Sequence, residues 1–253
     1  MILLIDIGNS RFKWALFDGE GVVQRGAALH PDDMEAFATS TWGTIEKPLR
    51  VVISTVASPQ LTERLAGWAM AQWSLSVEIM VSPAAGYGVK NAYGEPGSLG
   101  SDRWAAMVAV RSEFKNRAVC VVGCGTAVTI DVINRKGEHQ GGLILPGLTM
   151  MRHALVNETD RIKIGQSSLN DEGAQISFLA CDTGNAVIGG TFYALIAAID
   201  RITHDIVAEL GVNTARVITG GDAPALLPLL AAKYIHRDTL VIDGLCVMVQ
   251  ADA

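Results

Sequence analysis

The hydrophobic pattern changes period several times along this chain. From Met1 to Phe17 (MILLIDIGNSRFKWALF) an apolar run meets Asp6 and a Gly8-Asn9-Ser10 turn; Phe12, Trp14 and Leu16 then alternate with Arg11, Lys13 and Ala15. An apolar run followed by period-two alternation predicts two strands joined as a hairpin. Asp18 to Gly21 reads as a turn and Val22 to Gly26 as a third strand. Pro31 predicts a helix start, with Asp32 and Asp33 at the end of the helix dipole that favours negative charge. Leu49–Thr55 reads as a buried strand, Gln60–Trp73 as a helix with Leu61, Leu65, Trp68 and Ala69 on its apolar face, and Val77–Val81 as another strand. The order β-β-β-α-β-α-β is an α/β pattern.

Ser82 to Ser98 (SPAAGYGVKNAYGEPGS) has no hydrophobic period and predicts a long loop, a kind of segment that often carries function. A helix follows from Leu99 to about Lys115. Then the opening layout recurs. Ala118–Val122 is a strand ending at Gly123-Cys124-Gly125-Thr126, Ala127–Ile133 a second, Arg135–Glu138 a turn and Gly141–Leu145 a third. Shifted by ~117 residues, Gly8-Asn9-Ser10 falls on Gly125-Thr126-Ala127, which predicts two similar halves, 1–116 and 117–253. Beyond it, Leu148–Leu155 is helical, 157–173 polar and loop-like, and Thr183–Leu210 a long helix whose first half is small and apolar. Arg216–Thr219 predicts a strand, Ala223–Ala232 a helix, Thr239–Ile242 a strand and Gly244–Gln250 a last helix.

Composition narrows the function classes. Hydrophobic residues make up 49% and charged residues 18% of 253, enough apolar material for a sizeable core. Lys and Arg total 20 against 26 for Asp and Glu, so the net charge of −6 argues against a broad nucleic-acid-binding surface. Cys120, Cys124, Cys181 and Cys246 form no CxxC pair, which favours reduced, buried thiols over disulfides or zinc. The first apolar run lacks a basic flank and is broken by Asp6, unlike a signal peptide, and no apolar stretch reads as a bilayer span. The expected location is the cytoplasm.

Candidate chemistry sits in the turns. Gly8 permits converging backbone amides that suit an anion, Lys13 adds positive charge, and Asp6 is placed to hold a hydrated Mg²⁺. Taken alone, this is an ordinary hairpin turn, since Gly, Asn and Ser are standard there. Four such turns, DIGNS, GSDR, GCGTA and TGGD, in two repeated α/β halves describe a nucleotide clasped between domains, with Gly220-Gly221 allowing the backbone close to an adenosine. The histidines His30, His139, His153, His204 and His236 are scattered without ligand spacing and read as surface or capping residues.

This set resembles the acetate kinase/actin/hexokinase superfamily and, more closely, the type III pantothenate kinases, the family that includes the Bvg accessory factor. The resemblance rests on Asp6-Ile7-Gly8-Asn9-Ser10 with Arg11, Phe12 and Lys13, on Gly100-Ser101-Asp102-Arg103-Trp104, and on Gly125-Thr126-Ala127-Val128-Thr129-Ile130-Asp131. Gly141 to Gly147 (GGLILPG), Asp182-Thr183 and Thr219-Gly220-Gly221 complete it, so it runs the length of the chain. It implies two ribonuclease-H-like (actin-like ATPase) domains, the first with one phosphate motif and the pantothenate motif, the second with the other phosphate motif and the adenosine motif. It implies ATP-dependent phosphorylation of pantothenate, with Asp102 as general base, Arg103 on the pantothenate carboxylate, and Tyr93, Gly100, Ser101 and Thr183 lining the substrate. Lys13, Gly125 and Thr126 would hold phosphate, and a homodimer with no nucleic-acid or membrane partner is implied. Two departures stand out. Gly123 replaces the family's aspartate for K⁺ or NH₄⁺, which implies weak or absent dependence on a monovalent cation, and Asp182 replaces an asparagine. The alternatives are a nucleotide-binding transcriptional accessory factor of the same family, or a sugar kinase or phosphatase of the superfamily.

Overall fold

The computed structural model of the chain describes residues 1–159, 162 and 179–252. They form two compact units: Met1–Lys115 with Gly137–His139 and Thr239–Ala253, and Asn116–Lys136 with Gln140–Asp238.

In the first unit β1 (Ile2–Ile7), β2 (Arg11–Phe17), β3 (Val22–Leu29), β4 (Arg50–Thr55) and β5 (Glu78–Ile79) form one sheet in the order β3-β2-β1-β4-β5. β1 runs antiparallel to β2 and parallel to β4, so both its hydrogen-bonding edges are paired, and Leu3, Leu4 and Ile5 are fully buried. Against this sheet pack α1 (Met34–Trp42) and α2 (Pro59–Trp73), closing an aromatic core of Phe12, Trp14, Phe37, Trp42, Trp68 and Trp73. The first helix begins later than Pro31 suggests. Asp33 is its N-cap and accepts from the Glu35 and Ala36 amides, both at 3.1 Å, so the orphan donors of the first turn are satisfied there and Pro31 stays outside. The 82–98 loop carries a small hairpin, β6 (Ala85–Gly86) with β7 (Val89–Lys90), and leads into α3 (Ser101–Glu113).

The second unit repeats the plan. β8 (Val119–Cys124), β9 (Ala127–Ile133), β10 (His139–Pro146), β11 (Ala215–Thr219) and β12 (Ile235–His236) stand in the order β10-β9-β8-β11-β12. Between β10 and β11 lie α4 (Leu148–Asn157) and α5 (Thr183–Leu210), and the short α6 (Ala223–Leu226) follows β11. Most of the segment expected to be polar over 157–173 lies outside the described residues. α5 is long and apolar enough to cross a membrane by length and composition, contrary to the expectation that no stretch is. It buries Ile188, Phe192, Leu195, Ile196 and Ile199 in this unit's core, which accounts for the apolar composition.

Two further expectations are corrected at the end of the chain. The helix expected over Ala223–Ala232 stops at Leu226 and passes into a 3₁₀ turn, because Pro228 offers no amide and disfavours helix before it. Thr239–Ile242 is not a strand but the start of α7 (Leu240–Ala251), where the Thr239 hydroxyl donates to the Asp243 carboxylate at 3.1 Å. Nor does this helix belong with the second half. It lies in the first unit, with Gly244 so close to the Ala105 carbonyl of α3 that a methyl group has no room.

Candidate active site

In the first unit Asp6 ends an apolar strand and pairs across the ladder with Lys13 on β2, while its parallel neighbour on β4 is Ser54. Ser54 and Ser101 share a hydrogen bond at 3.0 Å, and the Thr55 amide donates to the Ser101 hydroxyl at 3.1 Å. The start of α3 is thereby tied to the strand next to Asp6, which brings Asp102 into Asp6's field. Burial, then the Asp102 charge, raises the Asp6 carboxyl from 3.8 to about 7, with Lys13 pulling the other way. Asp102 Oδ1 accepts the Arg103 amide at 2.8 Å and lies 2.6 Å from where a Cβ on Gly100 would stand, so position 100 has no space for a side chain.

The turn between β1 and β2 closes through Gly8 N–H to the Arg11 carbonyl, 3.0 Å. The side chains of Ile7 and Phe12 are fully buried and anchor it, leaving Asn9, Ser10 and Arg11 exposed. From the end of β3, His30 Nε2 donates to the Gly8 carbonyl at 2.7 Å. The second cluster of this unit is built on the 82–98 loop. Asn91, buried, donates to the carbonyls of Pro83 and Pro96 and accepts the Tyr93 amide at 3.0 Å. Arg103, also buried, donates to the Tyr93 hydroxyl at 3.0 Å, and its guanidinium lies 5.7 Å from the ring centre. The buried His139 ring stacks on Tyr93 at 5.9 Å between centroids and 15° between planes.

In the second unit three backbone segments converge. The Gly125 amide donates to the Ala127 carbonyl at 3.1 Å, closing the turn that carries Thr126. The Gly147 amide donates to the Thr126 carbonyl at 3.1 Å, and a side chain at 147 would strike the backbone of Gly125 and Thr126. Gly220 holds φ +103° against the Cys124 backbone, where only glycine fits, and the Asp222 amide donates to the Cys124 carbonyl at 3.1 Å. Gly221 follows on the same turn. At Gly123 a Cβ would stand 2.8 Å from the Thr129 hydroxyl, so a carboxylate at that position has no ready space. Thr183, exposed, opens α5 behind the N-cap Asp182, whose carboxylate accepts from the Asn185 amide and side chain and is held below its usual range by them.

Residues 2–205 match the family model for type III pantothenate kinase. A type III pantothenate kinase of Nitrosococcus oceani is 41% identical over 250 residues, covering 97% of this chain and 92% of that protein. One of Nitrosospira multiformis is 36% identical, covering 97% and 89%. This chain belongs to the type III pantothenate kinases. In fold it is similar to an activator of 2-hydroxyisocaproyl-CoA dehydratase from Clostridium difficile with bound ADPNP (TM-score 0.53, 14% identity, 99% of this chain and 94% of that one). It is also similar to MreB5 of Spiroplasma citri bound to AMPPNP (0.53, 14%, 99% and 96%). The duplicated actin-like ATPase fold expected from the sequence is the fold found.

Within this family member the β1–β2 and β8–β9 turns are not equal in length. The first spans three residues between Ile7 and Arg11, the second two between Cys124 and Ala127. The ladders show the slip: Asp6 pairs with Lys13, but Gly123 pairs with Thr129. The cross-strand carboxylate–lysine pair of the first sheet is therefore answered by a glycine–threonine pair in the second. Among the described residues no three His, Cys, Asp or Glu side chains group as a metal site. Mg²⁺ commonly takes one or two carboxylates and fills its remaining positions with water and substrate phosphates, and a crowded Asp6 beside Asp102 suits that chemistry.

The structure also brings in residues that sequence reasoning passed over. His30 and His139, expected at the surface or as caps, instead hold the Gly8 carbonyl and the Tyr93 ring. Ser54 and Asn91 are buried tethers. None carries a local signal: His30, Ser54 and His139 matter through neighbours distant in sequence, and Asn91 through the irregular loop it braces. Of the cysteines, Cys120 and Cys124 are buried as expected and their thiols are pushed up to about 12, but Cys181 is exposed.

Proposed function

We propose that this chain phosphorylates the primary hydroxyl of pantothenate with ATP, giving 4′-phosphopantothenate, the entry step to coenzyme A. The observation that carries the assignment of roles is the union, in one unit, of Asp6, Lys13 and Asp102 with the Arg103–Tyr93 pair. Asp102 takes the hydroxyl proton as the substrate oxygen attacks the γ-phosphorus, and the bond to the β-phosphate oxygen breaks to release ADP. Arg103, with the planar fork that suits a carboxylate, holds the substrate's acidic end, and Tyr93 braces it. Gly100 and Ser101 supply the backbone and tether that present Asp102, and Thr183 contacts the substrate's other side. Lys13, the Gly8–Ser10 turn and the Gly125–Thr126 turn bind phosphate oxygens, and Gly220-Gly221 the adenosine. Asp6 would hold a hydrated divalent cation, Mg²⁺, which would supply charge neutralisation on the phosphates.

The active form is a homodimer in the cytoplasm, acting on small molecules without nucleic-acid or membrane partners. The exposed small-residue face of α5 (Ala186, Gly190, Ala194) supports close packing between two copies. Light scattering at micromolar concentration that finds only monomer would overturn this. For the reaction, purified protein with ATP, Mg²⁺ and pantothenate yields 4′-phosphopantothenate, and Asp102→Asn lowers kcat by about 10²-fold or more. Unchanged turnover in that variant sinks the base assignment.

A further inference from the structure

His139, a buried histidine of the first unit, packs against a proposed substrate-binding side chain, Tyr93. Its placement is fixed on both sides. The turn before it is locked to the β6–β7 hairpin: the Lys90 amide donates to the Gly137 carbonyl at 2.9 Å, and Lys90 bridges Glu138. Gly137, at φ +86°, leaves no room for a side chain against the Gly88 carbonyl. Three residues beyond Lys90 on the same loop stands Tyr93, whose amide is held by Asn91. One backbone clamp thus sets both rings of the stack, and the Tyr93 hydroxyl passes that placement to Arg103 at 3.0 Å. An aromatic ring with two rotatable bonds, stacked on a second ring and bonded at its tip, has one orientation; without the stack it has several.

We infer that His139 is a positioning residue for carboxylate recognition: by stacking on Tyr93 it fixes the ring that orients the Arg103 guanidinium, and so sets the preference for an acidic over a neutral substrate end. This rests on the reading of Arg103 as the carboxylate anchor. It is a role in specificity, because the ring that His139 stacks on is the one whose hydroxyl accepts from the carboxylate anchor Arg103.

The test compares pantothenate with pantothenol, the same molecule with an alcohol in place of the carboxylate, at saturating ATP. His139→Ala and His139→Leu both remove the ring, and Leu keeps the volume filled; His139→Phe keeps a plane to stack. The expected result is that Ala and Leu lower the ratio of kcat/KM for pantothenate over pantothenol by roughly 3- to 10-fold, the size of an aromatic pair's contribution. KM for ATP stays within about twofold, and Phe restores the ratio. Tyr93→Phe, which removes only the hydroxyl that Arg103 bonds, lowers the ratio similarly, and combining it with His139→Leu adds little. If Arg103→Ala abolishes the preference while His139→Leu leaves it intact, the inference fails and the anchor stands. If Arg103→Ala leaves the preference intact, the reading of Arg103 fails first. Equal losses on both substrates and on ATP in His139→Leu, unrescued by Phe, would mark His139 as structural only and overturn the proposal.

Discussion

At the scale of single residues, Asp6 carries the clearest conflict between function and stability. Its carboxyl titrates near 7 in the folded chain and at 3.8 unfolded. Between those values the folded state holds more protons than the unfolded one, so this group's contribution to stability falls as pH rises and stays low above about 7. Asp6→Asn removes the charge. Asp6 is mostly buried but keeps some solvent contact at the end of its strand, which lets water screen part of the charge; the gain at pH 8 without nucleotide is roughly 1–2 kcal/mol. Thermal unfolding is expected to show the variant melting several degrees above the parent at pH 8, with the gap closing toward pH 4, while activity is lost. A gap that widens on acidification contradicts the raised carboxyl. Position 123 gives a second prediction at this scale. With glycine there, no carboxylate is offered to a monovalent cation, so exchanging Na⁺ for K⁺ should leave the rate unchanged within roughly twofold. A large rise with K⁺ refutes it.

At the scale of elements, what could be read in advance depended on how local its cause was. Ala127–Ile133 and Thr183–Leu210 are where the periodicity places them, because their patterns are long and internally consistent. Thr239–Ile242 misled, because three consecutive apolar residues suit a strand or a buried helix equally, and packing on α3 decides. The site followed the same rule. Gly8, Asp102 and Gly220 stand in motifs whose composition announces a special backbone, whereas Ser54 and His139 act on Ser101 and Tyr93, more than 40 residues away in the chain, and Asn91 ties together an aperiodic loop; none has a pattern to announce it. Gly220 shows what the special backbone is worth. Gly220→Ala must take up φ +103° and meet the Cys124 backbone, which costs about 2–4 kcal/mol in strain and overpacking. Denaturant unfolding is the measurement, and a loss below about 0.5 kcal/mol would mean the turn adapts. The one-residue difference between the two hairpin turns belongs here too. The shift of ~117 residues relates the strands before the turns, but it would match Lys13 with Ile130, a buried core residue, rather than with Thr129.

At the scale of the whole molecule, the division into units is not the division of the sequence. The chain passes from one unit to the other after Lys115, Lys136, His139 and Asp238. The terminal helix completes the first unit, burying Leu240, Leu245 and Met248, so removing residues 239–253 uncovers the α3 face around Ala105. That truncation is expected to give insoluble or molten protein, checked by near-ultraviolet circular dichroism and expression in the soluble fraction. A well-folded product would show that α7 is dispensable. These four crossings also bear on how such a gene can be divided. A cut at the repeat junction yields a front piece without its closing helix and a back piece carrying that helix unpartnered. Two such fragments would have to find each other to fold, which makes this a scaffold for split-protein reporters: reassembly would be reported by the chemistry it restores. Joining the ends is the gentler operation, because the first strand and the last helix already belong to one unit.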